Sequence, residues 1–144
     1  MKPFPHSKLQ GEWVEVCFVA ECLRRGMVAA KPYGDSTAYD FIIEAGRGII
    51  SRVQVKSVSV RNPPSGIYHV AVMRSVALAK KPYCAGDFDV LAAYIIPLNV
   101  WYIIPAYEVV GIKMISLRPV GRSLRVRRLE KYRDAWNLLN SYKR

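Results

Sequence analysis

Two short apolar runs either side of a glycine-bearing turn constrain this chain more than any other stretch. They read Asp40-Phe41-Ile42-Ile43, then Ala45-Gly46-Arg47-Gly48, then Val53-Gln54-Val55-Lys56. β-Favouring runs joined by a few residues that include glycine predict a hairpin. Side chains two apart on a strand share a face, so Gln54 and Lys56 point one way and Val53 and Val55 the other. Pairing of the two strands brings the Asp40 carboxylate, the Gln54 amide and the Lys56 ammonium to one edge of a small sheet. Hard oxygen donors of that kind suit Mg²⁺, and a lysine beside them can activate water or hold a phosphate. An ordinary amphipathic hairpin has the same spacing, so the remainder of the chain decides between the two readings.

At 144 residues and 51% hydrophobic content the chain has the size and composition of one folded domain. No apolar run approaches the roughly 18 residues of a membrane span. The opening MKPFPHSKLQGEW has no apolar core of a signal peptide, so a cytoplasmic protein with no membrane partner is expected. Cys17, Cys22 and Cys84 are odd in number and carry no C-x-x-C spacing, which argues against both a disulfide framework and a zinc site. Cys17 and Cys22 are expected to be buried in a helix. Net charge is +11, and it is uneven: residues 1–112 carry 12 basic and 9 acidic groups, residues 113–144 carry 10 and 2. A basic surface concentrated at one end suits a polyanion, DNA or RNA before an acidic membrane.

In chain order, residues 1–7 form an arm in which Pro3 and Pro5 oppose a helix. Leu9, Trp13, Val16, Val19 or Ala20, and Leu23 then recur at threes and fours, predicting a helix from Lys8 to Arg25 with that stripe inward, ended by Gly26. Met27–Ala30 is a short strand candidate, and the second hairpin strand extends toward Val58 and Val60. A turn at 61–66 leads to a strand over Ile67–Ser75 and a loop over Lys80–Gly86. Val90–Ile96 reads as a buried central strand, and Pro97-Leu98-Asn99 turns it into Val100–Ile104. Ala106–Val110 suggests one helical turn, and Lys113–Leu117 is too short to assign. From Leu129 the spacing of Leu129, Tyr132, Trp136 and Leu139 predicts a terminal helix with one docking side. The whole is an α/β or α+β single domain over 1–144, a mixed sheet of five or six strands flanked by helices, with a basic segment and helix over 118–144.

The order of parts resembles the PD-(D/E)XK nuclease superfamily. A helix with Gly11-Glu12-Trp13-Val14-Glu15 precedes the loop Pro32-Tyr33-Gly34-Asp35, then Tyr39-Asp40, then Arg52-Val53-Gln54-Val55-Lys56. The similarity is greatest to the branch that includes group I intron homing endonucleases, and more distant to Holliday-junction resolvases. It continues through Asp89–Tyr94, Tyr102–Pro105 and Tyr132–Trp136, covering roughly residues 8–140.

The resemblance implies a restriction-endonuclease-like α/β fold and Mg²⁺-dependent hydrolysis of DNA, with Mn²⁺ as a substitute. It places catalytic roles on Glu15, Asp40, Gln54 and Lys56, with Asp40, Gln54 and Glu15 as metal ligands and Glu12 as the alternative register for Glu15. Gln54 stands where the superfamily usually has Asp or Glu, and a Gln in that place is similar to what the homing-endonuclease branch uses. A neutral amide in that place also leaves open a catalytically weak or inactive DNA-binding module. DNA contacts are expected first from Arg118, Arg122, Arg125, Arg127, Arg128 and Arg133, and second from Lys80 and Lys81. Tyr33 and Tyr83 are candidate base-stacking aromatics. A homo-oligomer, dimer or tetramer, is expected because one small site per chain has to serve both strands.

Overall fold

The computed structural model describes residues 4–121 and 128–140. Helix α1 spans Ser7–Arg24, capped by His6, whose Nδ1 accepts from the Leu9 amide at 3.2 Å. Its end is set at Gly26, which takes the left-handed φ of +77° that side chains resist. None of the described helices is long and apolar enough to cross a membrane.

The expected inward stripe of α1 is not the one buried. Val14, Phe18 and Cys22 face the core, whereas Leu9, Trp13, Val16 and Leu23 are all 39% or more exposed. The middle of the helix, Val14-Glu15-Val16-Cys17-Phe18-Val19, offers apolar residues around most of its circumference, so periodicity alone does not choose a face. The sheet chooses through Phe18, whose ring lies 5.7–5.9 Å from those of Phe41, Trp101 and Trp136. Cys22 is accordingly buried and Cys17 only half-buried.

The central sheet has five strands in the order β1-β2-β3-β7-β8. These are β1 (Val28–Ala30), β2 (Phe41–Ala45), β3 (Ile49–Val58), β7 (Val90–Ile95) and β8 (Val100–Pro105). The hairpin of β2 and β3 is antiparallel, with Phe41 opposite Val53 and Ala45 opposite Ile49. Its turn, Gly46–Gly48, places Arg47 and Gly48 at φ +68° and +71°. Strands β3 and β7 are parallel, and β7 and β8 antiparallel. All six residues of β7 are buried, as expected of a strand covered on both faces.

The two faces carry separate cores. On one, α1 packs over Ile43, Val53, Val55, Ala92 and Ile103. On the other, Leu91, Ala93, Ile95, Tyr102 and Ile104 meet Val70, Ile115 and Leu117. The last three belong to an antiparallel pair, β4 (Tyr68–Ala71) with β9 (Met114–Leu117), so all but the first residue of the segment 113–117 is strand. The expected strand 67–75 divides at Val72, and its second part, β5 (Met73–Val76), pairs with β6 (Ala79–Pro82). The expected loop from Lys80 is therefore, at its start, one arm of a two-stranded ribbon.

The predicted terminal helix is replaced by two 3₁₀ turns, Glu130–Tyr132 and Trp136–Leu139. Leu129 and Tyr132 belong to one core and Trp136 and Leu139 to the other. A single helix presents all four on one side, so the chain instead crosses the edge of β8. Arg133 bridges Tyr102, the Asp134 amide donates to the Trp101 carbonyl at 2.9 Å, and Asp134 takes φ +50°.

Candidate active site

Asp40 is placed by the end of the hairpin ladder. Pairing of β2 with β3 stops at Phe41 opposite Val53, and the Asp40 amide adds one more bond to the Val53 carbonyl at 2.9 Å. The next β3 amide facing that way, at Val55, has no strand partner, and Asp40 Oδ2 accepts from it at 2.8 Å. The same oxygen accepts from Gln54 Nε2 at 2.8 Å, and Gln54 Nε2 also donates to the Val55 carbonyl at 3.1 Å. These bonds use Oδ2 of the acid and the nitrogen of the amide. They leave Asp40 Oδ1 and Gln54 Oε1, two hard oxygen donors, outside them.

Lys56 lies two residues along the same strand, and Nζ donates to the Met73 carbonyl at 3.2 Å. Its ammonium also stands 5.6 Å from the Tyr83 ring centre. Glu15 comes from α1: with Val14 and Phe18 turned to the sheet, Glu15 is half-buried at the helix margin, and Oε2 accepts from Lys31 Nζ at 2.8 Å. Glu12, the alternative register, is exposed and lines neither cleft described below.

Glu15, Asp40, Gln54 and Lys56 line one cleft of about 560 Å³, closed by Gln10 and Gly11 of α1 and by Met73 and Lys80 of the ribbon. A smaller cleft of about 220 Å³ shares Glu15 and Asp40 and adds Lys31, Asp35 and Tyr39. Burial raises the Asp40 pKa above its usual value of 3.8, the Val55 hydrogen bond pulls it down, and Glu15 nearby raises it further. Burial lowers the Lys56 pKa from 10.5, while Asp40 opposes that and Lys80 adds to it. The cleft thus holds a carboxylate and an ammonium that each carry a desolvation cost. Titratable groups perturbed by burial and by one another's charge, lining the same cleft, mark it as a candidate site of chemistry.

Among the described residues no three His, Cys, Asp or Glu side chains gather to hold a metal. The oxygens that could hold a metal there are the two carboxylates Glu15 and Asp40 and the neutral Gln54 amide, hard donors of the kind that suit Mg²⁺ or Mn²⁺.

The other expected residues are dispersed. Lys80 lines the main cleft, and Lys81 is exposed on the same ribbon. Arg128 pairs with Glu108, and Arg133 donates to the Pro119 carbonyl at 2.7 Å. The Arg118 amide donates to Glu130 at 2.7 Å, with its Nε buried and unpartnered. Arg122, Arg125 and Arg127 lie outside the described residues. Tyr33 is fully exposed, but Tyr83 is only 3% exposed and packs in the core, so it is no exposed stacking platform. Burial, with Asp40 nearby, pushes its phenol up to about 12. Lys31 was not anticipated. It follows a three-residue edge strand with no periodicity to mark it, and only the Lys-Pro stop preceding the Gly34-Asp35 turn signals its place.

A family model described as PD-(D/E)XK endonuclease matches residues 5–139. No curated protein matches the chain. Among solved structures, the bacterial homing endonuclease I-Ssp6803I aligns with a TM-score of 0.79 and 30% identity, over 92% of this chain and 92% of that one. The match over residues 5–139 and the aligned structure place the chain in a family: it belongs to the PD-(D/E)XK endonucleases.

Proposed function

We propose that the chain is a divalent-metal-dependent DNA endonuclease that hydrolyses phosphodiester bonds in the cleft between α1 and the hairpin. The observation that carries this reading is the convergence of Glu15, Asp40, Gln54 and Lys56 on one cleft that Lys80 also lines. Support comes also from the family match and from the structural neighbour, itself a homing endonuclease.

Asp40 Oδ1, Gln54 Oε1 and Glu15 are the groups that would hold Mg²⁺, or Mn²⁺ in its place. When bound, such an ion supplies Lewis-acid polarisation of a phosphoryl oxygen and lowers the pKa of a water. Asp40 Oδ2 is fixed by the Val55 amide and the Gln54 amide group, which orients the carboxylate without spending Oδ1. Lys56, held against the Met73 carbonyl, can take a proton at Nζ once deprotonated, and burial brings that state nearer to neutral pH. In its charged state it offsets the charge that builds on the phosphate. Lys80 and Lys81 place further cations along the ribbon, where they would meet the DNA backbone, and Arg118, Arg122, Arg125, Arg127, Arg128 and Arg133 are the further phosphate contacts we propose. We place the active form as a homo-oligomer, a dimer or a tetramer, since one cleft accommodates one strand's scissile phosphate.

Gln54 favours one second reading, a DNA-binding module that keeps the fold with weak or absent catalysis, because its side chain brings no charge to the metal. Mg²⁺ titration of DNA cleavage separates the two. The endonuclease reading expects metal-dependent cutting that Asp40→Ala and Lys56→Ala each abolish while remaining folded. Cutting at the wild-type rate by either variant would refute the assignment of roles.

A further inference from the structure

Lys31 stands just beyond β1, the edge strand, and is followed by Pro32, which stiffens the backbone where the chain leaves the sheet. Its ammonium spans to α1 and holds Glu15 Oε2 at 2.8 Å, while also lying 5.0 Å from the Phe41 ring centre. Glu15 and Asp40 line both clefts, but Lys56 lines only the larger and Lys31 only the smaller. The two carboxylates therefore sit between two lysines with different surroundings. Lys56 is mostly removed from water, and the Lys31 side chain is 57% exposed. The Glu15 carboxylate, 27% exposed, is held by the outer lysine.

We propose that Lys31 is a positioning residue that competes with the divalent ion for the Glu15 carboxylate, and so sets how tightly the site takes up metal. The inference rests on the metal-site reading above. An exposed ammonium–carboxylate pair is weak, worth roughly a two- to five-fold preference. That is enough to hold Glu15 away from the ion at low metal and too little to keep it away at high metal. Lys31 also contributes a positive charge felt at Asp40, which opposes cation entry. Engagement of Glu15 Oε2 by the ion would part the Lys31–Glu15 pair, freeing one carboxylate oxygen and one cation together. The freed ammonium is then available to a phosphate alongside the scissile one.

The test is Mn²⁺ binding to the metal-free, full-length protein without DNA, followed by the electron paramagnetic resonance of free Mn²⁺. It is run on wild type, Lys31→Met, Glu15→Gln, the double variant, Lys31→Arg and Asp40→Asn. Lys31→Met is expected to tighten Mn²⁺ roughly two- to five-fold, and Lys31→Arg, which keeps the pair, to restore the wild-type Kd. In the Glu15→Gln background the Lys31→Met gain should shrink to what the Lys31 charge exerts at Asp40, which a merely structural role would not produce. An unchanged Kd in Lys31→Met, or an equal gain on both backgrounds, would overturn the proposal. If Asp40→Asn weakens Mn²⁺ while Lys31→Met does nothing, only the role of Lys31 falls. If wild type binds no Mn²⁺, the metal site itself falls and this role with it. Weaker DNA binding by Lys31→Met with unchanged Mn²⁺ binding would make Lys31 a phosphate contact instead.

Discussion

At the scale of single residues, the site is organised by what one unpaired strand amide needs. The Val55 N–H lies past the end of the β2–β3 ladder, and Asp40 satisfies it, which fixes the acid beside Gln54. Replacing Gln54 by Glu removes the donor that holds Asp40 Oδ2 and sets two carboxylates against each other at a position only 8% exposed. Without metal, Gln54→Glu should lose about 1–3 kcal/mol of stability. With Mn²⁺ that loss should reverse, so its metal-induced rise in Tm exceeds that of wild type; thermal denaturation with and without Mn²⁺ reads this directly.

The protonation of Asp40 makes a second prediction at this scale. Its pKa is raised on folding, so the stability it contributes is full below 3.8 and is lost as pH rises through the folded value. In metal-free buffer the Tm of Asp40→Asn minus that of wild type should therefore grow more positive from pH 3 to pH 7. A difference that stays flat would mean that Asp40 carries no net desolvation cost. Lys56, with its pKa lowered, acts in the opposite sense, losing its contribution as pH falls from above 10.5 through the folded value.

At the scale of elements, the hairpin was legible and the helix only half so. Alternation across Val53-Gln54-Val55-Lys56 fixes which side chains share a face, because the strand period is two and a slip would bury Lys56. The extent and termination of α1 follow from Pro5 and Gly26, but not its face, since apolar residues surround its middle and the packing partner decides. Phe18→Ala should cost about 3–5 kcal/mol, because three aromatic rings lose a fully buried neighbour. Val16→Ser, on the stripe that periodicity favours, should shift stability by under about 0.5 kcal/mol. Urea denaturation of the two variants tests the choice of face.

The ribbon of β5 and β6 was not legible, because Lys80-Lys81-Pro82 has the composition of a loop and is made a strand only by pairing with Met73–Val76. The 3₁₀ turns near the end depart from the expected helix for a related reason. Their apolar spacing fits a helix, but the two cores that divide Leu129 and Tyr132 from Trp136 and Leu139 exist only in three dimensions. The ribbon carries its own prediction. Lys80→Ala with Lys81→Ala should flatten the slope of log DNA affinity against log salt by roughly two. An unchanged slope would move the DNA surface away from the ribbon.

At the scale of the whole molecule, a net charge of +11 on a chain this small favours a polyanionic partner over a basic or neutral one. The candidate site draws on α1, the hairpin and the ribbon at once, three elements far apart in sequence. Asp40, Gln54 and Lys56 could be placed from local spacing, whereas Glu15 entered through the family resemblance. Lys31, and the position of Lys80 on the cleft wall, depend on how these elements pack.

The measurement that bears most directly on the central claim is cleavage of plasmid and branched DNA with Mg²⁺ or Mn²⁺, wild type beside Lys56→Ala. The account predicts metal-dependent cutting by wild type, abolished by chelation and lost in the folded Lys56→Ala variant. Salt-sensitive DNA binding with no cutting of any substrate at any metal concentration would contradict it, and would leave the fold serving as a binding module.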